Sequence, residues 1–110
     1  MSETDLPKGA ELQEDGSVQY TLSRPISMAV KGGTTRELSE LTFSELVAGD
    51  LIDSSTSGSG AKISLDMLKR STGLNDLVGE KLLRSLPARD YMRCQKIIAY
   101  FLEDGETTGT

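Results

Sequence analysis

A chain of 110 residues, 36% hydrophobic and carrying a formal net charge of −5, has room for one compact domain with a modest core. The acidic balance argues against nucleic acid or an anionic membrane as the main partner. With no histidine and a single cysteine, the commonest general base, the commonest metal ligand, an internal disulfide and every multi-cysteine metal site are missing.

Residues 1–17 hold one proline, two glycines and five acids, with Leu6 and Leu12 as their only large apolar residues past Met1. They read as a disordered acidic tail, and 103–110, without an apolar residue, as a second one. The opening Met-Ser-Glu-Thr-Asp lacks the positive region and apolar run of a signal peptide. No window approaches the roughly 18 apolar residues of a membrane span. A soluble protein made in a cytoplasm is expected. Its charge is uneven: residues 1–60 carry ten acids against four bases, and residues 61–110 seven against eight. The second half is balanced, so it offers no groove for phosphates.

Order is expected to begin near Ser17. In Val18-Gln-Tyr-Thr-Leu22 apolar and polar residues alternate, the period of a strand with one buried face. Pro25 lacks the amide of a central ladder and marks an edge or a bulge. Ile26-Ser-Met-Ala-Val30 resumes the alternation, and Lys31-Gly32-Gly33-Thr34 supplies a hairpin turn. A return strand over 35–41 completes a β-hairpin spanning 18–41. Thr42-Phe-Ser-Glu45 fits a capping box, which predicts a short helix carrying Phe43, Leu46, Val47 and Leu51 and ending near Asp53. The run Ser54-Ser-Thr-Ser-Gly-Ser-Gly60 then reads as a flexible loop that buries nothing.

The roughly forty residues between this loop and the second tail read as helices. Ser64 can cap a turn with Leu65 and Leu68, stopped by Gly73. Leu74, Val78, Leu82 and Leu86 lie four apart with Leu77 and Leu83 alongside, although Gly79 weakens that helix by about 1 kcal/mol relative to alanine. Pro87 can open the final helix, where Tyr91, Cys94, Ile98 and Phe101 recur at three- and four-residue steps, backed by Ile97 and Leu102. Arg89, Arg93 and Lys96 fall on its opposite face. The fold class is therefore α+β: an N-terminal β-hairpin, a short helix, a Gly/Ser loop and a small C-terminal helical bundle.

None of the polar clusters carries the signature of an enzyme. Asp50, Asp53 and the serines at 54, 55 and 57 surround a helix end, and Asp-Ser resembles the prosthetic-group serine of acyl carrier proteins. A carrier serine opens a helix, however, whereas Ser54 closes one. Cys94 has no histidine to form its thiolate and fits a small buried residue. Asp15-Gly16 lacks the other ligands of a calcium loop, and Gly58-Ser-Gly60 lacks the lysine of a phosphate loop. No catalytic residue, metal ligand or cofactor site is assigned.

Several landmarks in order carry a resemblance. They are Tyr20-Thr-Leu-Ser-Arg-Pro-Ile26, the glycine turn at 32–33, Glu40-Leu-Thr-Phe-Ser-Glu-Leu-Val-Ala-Gly-Asp-Leu-Ile-Asp53, Ser71-Thr-Gly-Leu74 and Leu86-Pro-Ala-Arg-Asp-Tyr91, closed by Ala99-Tyr-Phe-Leu102. Over residues 18–102 this resembles the tail assembly chaperones of phage Mu and related contractile-tailed phages. The chain departs from that pattern at Leu46 and Val47, where proline or threonine is common, and at Pro87, where an acid is common.

The resemblance implies one tail-assembly-chaperone-like domain over 18–102 that acts in the bacterial cytoplasm and is absent from the mature virion. It implies a protein that binds the tape measure protein, keeps it soluble and helps to recruit tail tube subunits, with homo-oligomers compatible with such a coat. A longer frameshifted product is a further feature of such phages. Phe43, Leu46, Leu51, Leu82, Tyr91, Ile98 and Phe101 are the apolar positions from which a partner surface would be drawn, and all but Leu51 are expected to be mainly core. The loop at 54–61 and the tails are expected to order on binding. A second reading is a small acidic regulatory adaptor that binds a basic protein through charge.

Overall fold

The computed structural model describes residues 6–29 and 32–103, and its central element is the strand in which the alternation was clearest. Strand β2 (Val18–Ala29) pairs antiparallel on one side with β1 (Ala10–Leu12) and on the other with β3 (Thr35–Phe43), giving a three-stranded sheet in the order β1-β2-β3. Val18, Tyr20, Leu22 and Ile26 of β2, with Leu41 and Phe43 of β3, point into the core. The register passes from Thr21↔Glu40 to Ile26↔Leu38, so residues 22–25 bulge against a single residue of β3. Pro25 sits in that bulge, where no ladder amide is required. The bulge also keeps Leu22 and Ile26 both buried despite the interrupted pairing. Gly32 and Gly33 take φ values of 91° and 81°, the left-handed backbone that the β2–β3 turn requires.

Residues 6–17, expected within a disordered tail, instead form a turn and the edge strand β1. Leu6 and Ala10 pack against the core, and Asp15 accepts hydrogen bonds from the Ser17 amide (3.0 Å) and hydroxyl (2.7 Å) at the turn into β2. Backbone pairing sustains β1 more than burial does, for Leu12 is half exposed. The remaining tail residues, 1–5 and 104–110, lie outside the described residues.

Four helices follow: α1 (Ala48–Ser54), α2 (Gly60–Thr72), α3 (Leu77–Arg84) and α4 (Ala88–Leu102). The capping box expected at Thr42 does not form, because β3 runs on to Phe43, which is fully buried as a strand residue. The helix starts five residues later, where the Asp50 carboxylate accepts the Val47 amide at 3.0 Å. Helix α2 also begins ahead of the expected Ser64, following Ser59, and it stops at Gly73. Helix α3 is capped by Asp76, which accepts the Gly79 amide at 2.8 Å. Leu74 and Leu86 lie outside α3, and Leu77 is 71% exposed, so the anticipated stripe is only partly helical and only partly buried. Gly79 is there for space: a Cβ at this position would sit 2.6 Å from the Asp76 carboxylate and 2.9 Å from Leu74. Pro87 immediately precedes α4.

Leu68 of α2, Leu82 and Leu83 of α3, Leu86 and the α4 residues Cys94, Ile97 and Ile98 close over one face of the sheet. The opposite face presents Gln19, Thr21, Glu40 and Thr42. The result is an α+β fold with a one-sided sheet.

Candidate protein-binding surface

Three features could do work on a partner: a buried carboxylate that fixes the sheet to α4, a helix hung on ion pairs, and a cleft between helices. The buried carboxylate is Asp90, in the first turn of α4 and fully enclosed. It accepts the Tyr20 hydroxyl, the Ser23 hydroxyl at 2.7 Å and the Ser23 amide at 3.0 Å. Burial pushes this carboxyl up, but the Tyr20 and Ser23 donors, helped by Arg93, outweigh it and hold the group below its ordinary range. Burial, followed by the Asp90 contact, raises the Tyr20 phenol. Both carboxylate oxygens are hydrogen-bonded from inside the protein, so Asp90 locks together elements 67–70 residues apart. Cys94, one turn further along α4, is likewise inert, its thiol pushed up to about 12 by burial.

Helix α1 is attached by its polar side. Arg70 of α2 reaches Asp66 at 2.8 Å, Asp50 at 3.5 Å and Asp53 at 3.7 Å, and the buried Ser54 hydroxyl donates to Asp66 at 2.8 Å. The contact with Arg70, with the Ser54 bond, holds the Asp66 carboxyl below its usual value. Beside this anchor Ser44 and Ser71 clasp the end of β3 to α2: the Ser44 amide meets the Ser71 carbonyl at 2.9 Å, and the Ser71 hydroxyl meets the Ser44 carbonyl at 2.7 Å. With the polar side turned inward, the apolar side of α1 faces out. Val47 is 64% exposed, Leu51 40% and Ile52 66%.

The stretch expected to be a loose loop is stitched to the end of α1. The Ser55, Thr56 and Ser57 hydroxyls donate to the carbonyls of Ile52, Asp53 and Ser54, satisfying groups a helix end leaves open. Ser54, the carrier-type candidate, is enclosed and already hydrogen-bonded, so it is closed to a prosthetic group. Among the described residues no group of three or more His, Cys, Asp or Glu side chains is placed to hold a metal ion.

The cleft, of about 560 Å³, lies between the start of α2, the end of α3 and the start of α4. Leu65, Leu83, Leu86 and Tyr91 form its apolar lining, Ala61 and Ala88 flank it, and Lys62 and Arg84 supply its charge, with no acid among the lining residues. The positions singled out as partner-binding candidates divide accordingly. Phe43, Leu82 and Ile98 are fully buried and withdrawn from any partner. Leu46 and Phe101 are half-buried against the core, Tyr91 lines the cleft, and Leu51 lies on the outward face of α1.

Asp90 carried a legible signal that periodicity alone passed over. It stands four residues before Cys94 and eight before Ile98, on the buried stripe of α4, and an acid on an apolar stripe implies a paired partner. Lys62 and Arg84 carry no such signal, because the cleft brings them together from separate helices.

Two comparisons with known proteins are empty: no curated protein and no solved structure matches the chain. A family model does match, over residues 19–103, and describes phage tail assembly chaperone proteins, E, or 41 or 14. The match takes in β2 from Gln19 onward, β3 and all four helices, including both sides of the Asp90 lock and the whole cleft. The chain belongs to this family.

Proposed function

From a member of the phage tail assembly chaperone family with this surface, we propose that the protein binds the tape measure protein of its phage and keeps it soluble while the tail is built. It works in the bacterial cytoplasm, leaves before the virion is finished, helps to bring tail tube subunits to the tape measure protein, and requires no catalysis. The observation that carries the reading is the cleft: an open apolar depression in a small acidic protein, lined by leucines and Tyr91 and bordered by hydroxyl and basic groups. A long apolar client needs such a surface, one that covers a segment of it without a chemical step. No helix among the described residues is long and apolar enough to cross a membrane.

The test is co-expression of the tagged chain with the tape measure protein of its own genome, with washes at low and high salt. A larger soluble yield of the client and a complex that survives high salt are expected, since apolar contact is not screened. An unchanged yield with no complex at either salt would overturn the reading. A complex lost steeply with salt would favour the charge-held adaptor instead.

A further inference from the structure

The apolar cleft does not end at its charged rim. Lys62, Leu65 and Arg84 line it and also line an adjoining depression of about 220 Å³, which continues between α2 and α3 past Asp66, Lys69 and Glu80. The two helices run antiparallel there. Lys69, late in α2, meets Glu80, early in α3, at 2.9 Å, while Lys62, early in α2, shares the cleft with Arg84 at the end of α3. From Ala61 to Lys69 the groove follows α2 for roughly 12 Å, just over two helical turns. It is one groove with an apolar half and a charged half.

The charges along this groove are not equivalent. Glu80 is held by Lys69 at 2.9 Å and by Arg84 at 3.1 Å; Asp66 is held by Arg70 and by the Ser54 hydroxyl, both at 2.8 Å. Both acids of the groove are therefore already paired within the chain. Lys62 is not: among the described residues it has no ion-pair partner. Its stem is placed all the same, because it lies along the backbone of Gly58. A Cβ on that glycine, whose φ is 141°, would come within 2.9 Å of the Lys62 Cδ and 3.5 Å of its Cβ. A positioned stem thus carries an unpaired ammonium to the joint between the two halves. Building on the reading that the cleft takes the client, we propose that this groove selects one kind of client segment. The segment is a short amphipathic helix that lays its apolar side chains on Leu65, Leu83, Leu86 and Tyr91 and sets an Asp or Glu, one turn away, against Lys62. A third helix suits a groove walled by two antiparallel ones, since its side-chain ridge fills the furrow between them, with anchors recurring at three- and four-residue steps. Lys62 is then a specificity-determining residue. At so exposed a position it adds little to the total grip, but it decides which segment is held and turns away basic ones.

The test is fluorescence anisotropy with overlapping peptides of about 20 residues, several helical turns each, that tile the tape measure protein of its own genome. Each is titrated with the full chain as wild type, Lys62→Glu and Lys62→Met; the position is exposed, and circular dichroism checks that both variants fold. Peptides bound by the wild type are expected to carry an apolar stripe at helical spacing with an Asp or Glu within one turn of it. Lys62→Glu should weaken them about tenfold and Lys62→Met about threefold. Changing that peptide acid to lysine should weaken wild-type binding about as much and restore binding to Lys62→Glu. The share due to Lys62 should shrink as salt rises, while the apolar share persists. Affinities that both variants leave unchanged, a charge swap that restores nothing, or bound peptides that are basic beside their stripe would overturn the proposal. So would a full-length complex from which no peptide binds. Each of these leaves the client reading standing, since that is judged by the full-length pull-down; a pull-down without any complex removes both.

Discussion

The β2–α4 junction and the α1–α2 junction are both made around an aspartate, yet they are built in opposite ways. At the first, Asp90 is sealed inside the core by Tyr20 and Ser23, with Val18, Ile97 and Ile98 also fully buried in the same core. At the second, Asp66 works at the half-buried edge, and the apolar side of the attached helix faces outward. A sealed polar lock surrounded by apolar packing fixes two elements permanently; a rim of ion pairs holds an element in place while leaving its apolar face for something else. The first junction encloses its polar lock in apolar packing; the second leaves Val47, Leu51 and Ile52 exposed.

The sharpest way to break this contrast is Asp90→Ala. It strands the Tyr20 hydroxyl and both Ser23 donors, and should cost about 3 kcal/mol, roughly 15 °C in Tm. A melting curve checks it, and a shift within a few degrees would deny that the lock is structural. Acid reads the same group. The folded pKa of Asp90 is depressed, so its stabilisation is fully present above the ordinary value of 3.8 and is lost as the pH falls through the lower folded value. Asp66, Asp76 and Glu80 shift in the same direction, and stability should therefore fall steeply only below about pH 4. Cys94 acts at the other end: its neutral thiol is favoured by the fold, and that contribution is lost as the pH rises from 9.0 towards 12. A denaturant midpoint followed against pH checks both limbs.

Gly79→Ala comes next, at about 2 kcal/mol, because the added methyl must push apart Leu74 and the Asp76 cap. Ser54→Ala should cost about 1 kcal/mol by removing the buried bond to Asp66. Its distinguishing sign is local: amide exchange in α1 should quicken while that of β2 and α4 stays unchanged. Equal acceleration in all three would erase the proposed difference between the junctions. The smallest effect belongs to Ile52→Asp, expected to move stability by less than about 0.5 kcal/mol at so exposed a position.

What the sequence made legible divides along the same line. The hairpin, the bulge at Pro25, the stop at Gly73 and the α4 stripe follow from local rules, since alternation, paired glycines and helical spacing act within a few residues. The errors came where a distant partner decides. Thr42 and Glu45 satisfy a capping pattern, but pairing with Gln19 keeps Thr42 in the sheet. Ala10-Glu-Leu12 has too little apolar character to announce a strand and becomes one because β2 offers it an edge. Ser54 reads as part of a loose linker until Asp66 is seen twelve residues away. Of the surface candidates, Tyr91 lines the cleft and Leu51 is exposed, whereas periodicity cannot distinguish them from the buried Phe43, Leu82 and Ile98.

The most direct test of the central claim, that the cleft receives the client, is hydrogen–deuterium exchange of the free chain against its complex with the tape measure protein. Slowed exchange over residues 59–65 and 83–91, with the sheet unchanged, is the predicted result. Protection confined to the outer face of the sheet, or none at the cleft in a complex that demonstrably forms, would contradict it.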